Sequence, residues 1–213
     1  MRSGRVRVNG EVASELGIRV LPGLDVVELD GELVAFPEKL VWVAFWKPSG
    51  VLTTRSDPHG GTTVYDVLPE ELGGLRYVGR LDRDAEGLLL FTNDGDRAHK
   101  LQHPSSQVER EYRIDVAGPV GAQQVKQLLE GIQLDDGIAT ARSARVLEVG
   151  TVETSMCVVL TEGRKREIRR MLSALGHPVL RLRRVRFGLV TLDRLKPGEW
   201  RYLDQDETDG IIG

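Results

Sequence analysis

Residues 76–96 read RYVGRLDRDAEGLLLFTNDGD. The stretch opens on a short strand-forming run, Arg76 to Gly79, and then turns polar. Arg80-Leu81-Asp82 is followed by a second acid, Asp84, and by Gly87. From Gly87 to Thr92 the chain reads GLLLFT, a very apolar strand. Asn93-Asp94-Gly95 is a turn that also caps the helical run DRAHKLQH behind it. An acid-bearing loop between two strands is the most informative feature of the chain.

Upstream, LVWVAFW (Leu40 to Trp46) predicts a buried strand stopped by Lys47-Pro48-Ser49-Gly50, and TTVYDVLPE predicts one short helix. Downstream, VEREYRIDVAG alternates, with Arg110, Tyr112 and Ile114 in one register and Glu109, Glu111, Arg113 and Asp115 in the other. GAQQVKQLLEG is a short helix with a glycine stop, and ATARSARVLEV and VETSMCVVLTE are two strands meeting at Gly150. RKREIRRMLSAL predicts a helix over 164–175. Its apolar stripe is Ile168, Met171, Leu172 and Leu175, with Gly176 as the stop and Pro178 beyond. VLRLRRVRFGLVTL reads as a strand with basic residues on one side, and WRYL closes the fold.

Before these elements, RVRVNGEV and DVVELDGELVAF alternate around Asn9-Gly10 and Asp30-Gly31, two hairpin signals. Pro22-Gly23 is a further break, and Pro37-Glu38-Lys39 marks a boundary. The expected organisation is a small β-rich unit over 1–38, a main domain over 39–204 and a loose acidic tail over 205–213. Many strands with few short helices indicate an α+β fold with a mostly antiparallel mixed sheet flanked by the helices.

The chain has 213 residues, a single cysteine (Cys157) and a formal charge of −3. Its usage excludes a disulfide scaffold and a Cys-based zinc cluster, and it fits a reducing, cytoplasmic setting. No apolar run reaches the ~20 residues a membrane helix needs. The charge is unevenly spread: residues 163–186 hold nine Lys/Arg and one acid, Glu167, within an acidic protein. That is the footprint of a local phosphate-binding face. His99 and His103 stand at i, i+4 without a third metal ligand. Cys157 reads as buried and inert, and Trp42, Trp46 and Trp200 as core. Asp57-Pro58-His59-Gly60-Gly61 lacks the Lys-Ser/Thr of a phosphate loop, so no nucleotide cofactor is expected.

Gly79-Arg80-Leu81-Asp82 with DAEGLL (Asp84 to Leu89) resembles the active-site motif of the RNA pseudouridine synthases, closest to the RsuA/RluB branch that modifies ribosomal RNA. Lys47-Pro48-Ser49-Gly50 looks like that family's first motif. Tyr112 in EREYRIDVAG falls where the family has its active-site tyrosine. Glu162 to Met171 resembles its last motif, and LKPGEWRYL resembles the branch's ending. Residues 4–31 (GRVRVNGEVASELGIRVLPGLDVVELDG) resemble the second half of an S4 RNA-binding domain, here as a truncated segment.

The resemblance implies a pseudouridine synthase fold and an rRNA uridine isomerase, a large-subunit site ahead of a small-subunit one. It implies no cofactor and no metal, and ribosomal RNA as the partner of a monomer. Breaking and re-forming a glycosidic bond needs no redox change; it needs a nucleophile, and a carboxylate serves. Asp82 is the implied nucleophile and Arg169 its basic partner, because a nearby guanidinium favours the charged form of a carboxylate in a desolvated site. Tyr112 is the implied ring against the uracil, with its hydroxyl near the proton that leaves C5. Arg80 is expected to fill the space of the swung-out base or else to pair with Asp84. Lys47 is expected to contact the RNA, and Arg164, Lys165, Arg166, Arg170, Arg181 and Arg183, with Arg184 and Arg186, are expected phosphate contacts. Glu167 is expected to face solvent and pair with Arg164 or Arg170. The competing readings are a non-catalytic RNA-binding ribosome-assembly factor, a DNA-binding protein using helix 164–175, and an aspartyl phosphatase using Asp82 and Asp84.

Overall fold

The structure is a computed structural model and describes residues 4–15, 17–18, 20–21, 24–35 and 39–211. The expected breaks at Pro22-Gly23 and Pro37-Glu38 lie outside the described residues. Two compact units are present, Met1–Leu40 and Val41–Gly213.

The first unit is an antiparallel sheet in the order β2-β1-β3-β4: β1 (Val6–Val8), β2 (Glu11–Val12), β3 (Val27–Leu29) and β4 (Glu32–Leu33). Asn9 and Gly10 have φ of 52° and 84°, and Asp30 and Gly31 have 54° and 85°. Two successive left-handed residues match the twist of the flanking strands, which is why Asn-Gly and Asp-Gly close both hairpins.

The second unit starts with β5 (Trp42–Lys47), α1 (Val64–Val67), β6 (Arg76–Val78), β7 (Glu86–Thr92), α2 (Gly95–Gln102) and β8 (Arg110–Ala117). It continues with α3 (Ala122–Glu130), the hairpin β9 (Ile132–Leu134) and β10 (Gly137–Ala139), β11 (Ser143–Val149) and β12 (Glu153–Leu160). It ends with α4 (Glu167–Ala174), β13 (Val179–Phe187), β14 (Val190–Thr191), β15 (Trp200–Tyr202) and α5 (Gln205–Gly210). The main sheet runs β11-β12-β8-β13-β7-β5-β15, with β14 added to β13 and β6 to β7. The β13–β7 pair is parallel and the other pairs are antiparallel, so the sheet is mixed as expected.

Central strands β5 and β7 are apolar on both faces because both are covered. Trp42, Ala44, Leu88 and Leu90 pack with Ala98 and Leu101 of α2, whereas Val43, Phe45, Leu89 and Phe91 pack with Val64 and Leu68. A third cluster joins Tyr112, Ile114 and Val116 of β8 to Met156 and Val158 of β12, Leu128 of α3, and Ile168, Met171 and Leu172 of α4. The stripe read from the sequence is the buried face of α4.

Two expectations are corrected. The helix expected from residue 164 begins at Glu167, because Arg166 is left-handed at φ 51°. No Ser, Thr, Asp or Asn occupies the cap position, and the Glu167 carboxylate accepts from the Arg164 N–H at 3.1 Å instead. Residues 164–166 are therefore a loop. The tail expected to be loose forms α5. Asp204 caps it at Glu207 N (2.8 Å), both Arg201 Nη atoms reach Glu207 at 2.6 Å, and Ile211 is buried in the second cluster. Acids suit the first turn of a helix, so the acidic run is a helix start.

At the β7–β13 contact Gly87 lies at φ +107°, and a Cβ there would meet the Arg184 carbonyl oxygen at 2.2 Å. Gly87→Ala should cost about 3 kcal/mol or more, combining overpacking with backbone strain. Urea unfolding measures it, and a loss under 1 kcal/mol (within ~0.5 of an ordinary surface change) would contradict the close approach.

Candidate active site

The edge of β7 is shared: β6 pairs with its far half (Arg76↔Thr92, Val78↔Leu90) and β13 with its start (Arg183↔Glu86, Arg184↔Gly87). The chain leaving β6 must turn out where β13 takes over. Gly79 makes that turn at φ 72°, and the loop 79–85 carries Asp82. The loop is riveted from below. Thr53 Oγ1 donates to Leu81 O (2.8 Å), Ala85 N returns to Asp82 O (3.1 Å), and Gly50 N reaches Arg83 O (2.7 Å).

Lys47 adds to this holding. It is fully buried, and its Nζ donates to Ala85 O at 2.7 Å and Pro48 O at 2.9 Å. Burial pulls its ammonium down to about 8, against the attraction of Asp84, Asp82 and Glu86. The expectation that Lys47 contacts the RNA is thereby corrected: its charge is spent on main-chain carbonyls.

Asp82 Oδ2 lies 3.6 Å from Arg166 Nη1, not beside Arg169. Arg169 instead bonds Asp84, with Nη2 at 3.1 Å from both Oδ2 and the main-chain oxygen, and its Nη1 donates to Val179 O at 3.1 Å. Arg166 also reaches Asp84 Oδ1 at 3.2 Å. The expected Asp82–Arg169 pair is thus replaced by a four-membered cluster in which Arg166 touches both acids and Arg169 touches Asp84. The cause is local: Arg169 is fixed on α4 by Val179, while the left-handed Arg166 turns its side chain toward the loop. Partial burial works to raise the Asp84 carboxyl, but the Arg166 hydrogen bond and the Arg169 charge outweigh it and hold it below the usual range. Asp84 is not the partner of Arg80, which forms no ion pair among the described residues.

Asp82, Tyr112 and Arg169 line one cavity of about 820 Å³, with Leu81, Leu160, Ile168 and Leu182 as apolar wall. That size falls in the range of small-molecule sites and leaves room for a nucleoside with its flanking backbone. Arg80, Arg164, Lys165 and Arg166 stand at the same cavity. Arg170 lies on a neighbouring groove shared with Arg166 and Arg169, and is forked onto Asp136 at 2.9 Å twice.

The β13 arginines differ from the expected basic stripe. Bulges at Val179/Arg181 and Arg184/Arg186 break the alternation. Arg181 pairs with Asp115 (2.6 Å) and Glu153 (3.0 Å), and Arg183 pairs with Glu86 (2.6 Å) and stacks on Trp46 at 4.9 Å. Arg186 pairs with Glu109 and Glu111. None of these three lines the cavity. Arg184 does, but it is only 2% exposed and is no surface contact. Arg110 is a cavity residue to which the sequence reading gave no role, and Arg184 one that it placed on phosphate. Both share the inward register of a neighbour already identified as buried or catalytic, Tyr112 and Leu182 respectively. Among the described residues no group of three His, Cys, Asp or Glu is arranged for a metal.

Glu167, expected in solvent, is 4% exposed and lines the cavity, with Oε2 on the Arg164 N–H and Oε1 without a partner. Desolvation raises its carboxyl above the usual value, with the Arg164 N–H only partly opposing it. A carboxyl raised on folding stabilises the fold fully below its unfolded value near ~4.3 and loses that contribution as pH rises through the folded value. Glu167→Gln should therefore raise Tm at pH 8, where one kcal/mol corresponds to about 2–4 °C, and the advantage should vanish toward pH 4. A pH-independent difference in thermal melts would contradict the buried charge.

Three comparisons bear on this site. A family model described as RNA pseudouridylate synthase matches residues 41–174. The ribosomal large subunit pseudouridine synthase B of Vibrio cholerae is 44% identical over 211 residues, covering 96% of this chain and 65% of that protein. The protein of the same description from Salmonella typhimurium is 42% identical over 222 residues, covering 100% of this chain and 75% of its own length. This chain thus spans just under two thirds of the Vibrio relative. A crystal structure of a pseudouridylate synthase superposes with a TM-score of 0.75 at 30% identity, over 99% of this chain and 90% of that one. With the family model covering more than half of its length and containing both Asp82 and Tyr112, this chain belongs to the RNA pseudouridylate synthase family.

Proposed function

We propose that the protein isomerises a specific uridine of large-subunit ribosomal RNA to pseudouridine, with Asp82 as nucleophile. The observation that carries this is the sharing of one cavity by the Asp82 carboxylate, the Tyr112 ring and the guanidinium groups of Arg166 and Arg169, among others. The large-subunit target follows the description of the Vibrio and Salmonella relatives.

In the reaction the N1–C1′ bond breaks, the base turns, and a C5–C1′ bond forms. One proton leaves C5 and one is gained at N1, so atoms balance with no oxidant. The Asp82 carboxylate holds the intermediate while the base is detached, and Arg166 supplies the adjacent positive charge. The Tyr112 ring gives the uracil a face to stack on. Swinging the uridine out costs a few kcal/mol, least in a loop. Arg80, exposed at the cavity, stacks in the vacated space, and Arg164, Lys165, Arg166 and Arg170 meet backbone phosphates. Because Arg164, Arg166 and Arg170 already hold carboxylates, each phosphate contact is an exchange of anions. The small β unit contributes an S4-like contact to the RNA.

Asp82→Asn should abolish pseudouridine formation on rRNA fragments, mapped by carbodiimide-stop sequencing, while RNA affinity stays within about threefold. Substantial turnover by that variant would remove Asp82 from the mechanism. Arg166→Met should slow single-turnover isomerisation on the order of 10–100-fold, as for loss of a charge-stabilising donor. Unchanged turnover would show that the 3.6 Å contact to Asp82 is idle.

A further inference from the structure

Arg184 is the largest fully buried side chain of the described residues. Its Nε donates to Leu88 O at 2.7 Å, and its Nη2 has no hydrogen-bond partner. No carboxylate pairs with it among the described residues; its guanidinium lies over the Phe187 ring at 5.3 Å, and the polar side chain across the strand pair from it is Tyr112. The two residues sit directly across from each other on β13 and β8, and both line the cavity that holds Asp82. Lys47 and Arg110 add further positive charge around the same strands. The close approach at Gly87 fixes the Arg184 backbone. Burying a cation without an acid is costly, and a donor left without an acceptor adds to the cost. Preorganised donors of this kind stabilise negative charge that develops during a reaction.

We propose that Arg184 is a positioning residue for Tyr112, holding its hydroxyl at the edge of the uracil and stabilising the negative charge that passes through the tyrosine oxygen during proton transfer. The proposal rests on the assignment of Tyr112 to the uracil made above. Once C5 has bonded to C1′, the base needs a proton at N1 and must lose one from C5. Tyr112 gives its hydroxyl proton to N1 and then takes the C5 proton, ending as it began. Between the two transfers its oxygen is anionic and faces the guanidinium. Nη2 is unengaged in the resting site, and it takes up the tyrosine oxygen when the charge appears.

The test is a double-mutant cycle in single-turnover isomerisation of an rRNA fragment by the full chain, with RNA affinity measured in parallel. Arg184→Met should slow the rate on the order of 100-fold with affinity unchanged within about threefold, and Arg184→Lys should recover part of the loss. In a Tyr112→Phe background, Arg184→Met should cost less than about twofold, because the group it acts through is gone. If Arg184→Met slows the Tyr112→Phe enzyme as much as it slows the parent, or acts only on RNA affinity, the proposal is overturned. Should Arg184→Met fail to fold, Arg184→Lys is read in the same cycle with the same criteria. Full activity of Tyr112→Phe would also overturn the proposal, because the hydroxyl is then idle, whereas inactivity of the parent on ribosomal RNA would defeat the functional reading instead.

Discussion

The site depends on β13 lying between β7 and β8. This one strand joins two otherwise separate sets of strands, parallel to β7 and antiparallel to β8. It pushes β6 to the far half of the β7 edge, so the chain between them loops out and presents Asp82. It also places Arg184 opposite Tyr112. The approach requires a residue without a side chain at Gly87, where a Cβ would collide with the Arg184 backbone. Strand order, loop position and cavity thus follow from one close contact.

Charge is arranged around that contact in two layers. Below the loop, the buried Lys47 holds main-chain carbonyls, and Arg184 stands ready with an unengaged donor. At the cavity, Arg166 and Arg169 share Asp84, and Arg166 extends to Asp82. Asp84 therefore orients both guanidiniums without capturing them, while Asp82 keeps a partly open position. The outer ion pairs of Arg164, Arg170 and Arg181 are exposed, and pairs of that kind contribute little to stability. Under the function proposed above, those of Arg164 and Arg170 are exchangeable for phosphate.

The sequence showed the apolar core strands, both hairpins, the stripe of α4 and the loop bearing Asp82, because each rests on local periodicity or turn chemistry. It also identified Asp82 and Tyr112, which the cavity brings together. What it missed depends on distant partners. Lys47 looks like a surface cation until the loop after β6 closes over it, and Glu167 looks solvated until α4 seats its first turn against the cavity. The choice of Arg166 over Arg169 for Asp82 turns on a single left-handed residue that no spacing rule announces. The arginine stripe of β13 failed because two bulges shift the alternation. The acidic tail was read by composition alone, whereas Ile211 gives it an apolar anchor.

The most direct measurement is a structure of the protein with an rRNA fragment transcribed with 5-fluorouridine, whose C5 cannot lose a proton, so that the reaction stalls with the base in place. The account predicts the stalled base against the Tyr112 ring, with the Asp82 carboxylate at its sugar or ring and the Arg184 guanidinium turned to the tyrosine oxygen. A base seated away from Asp82, in the groove beside Arg170 or outside the cavity, would contradict it.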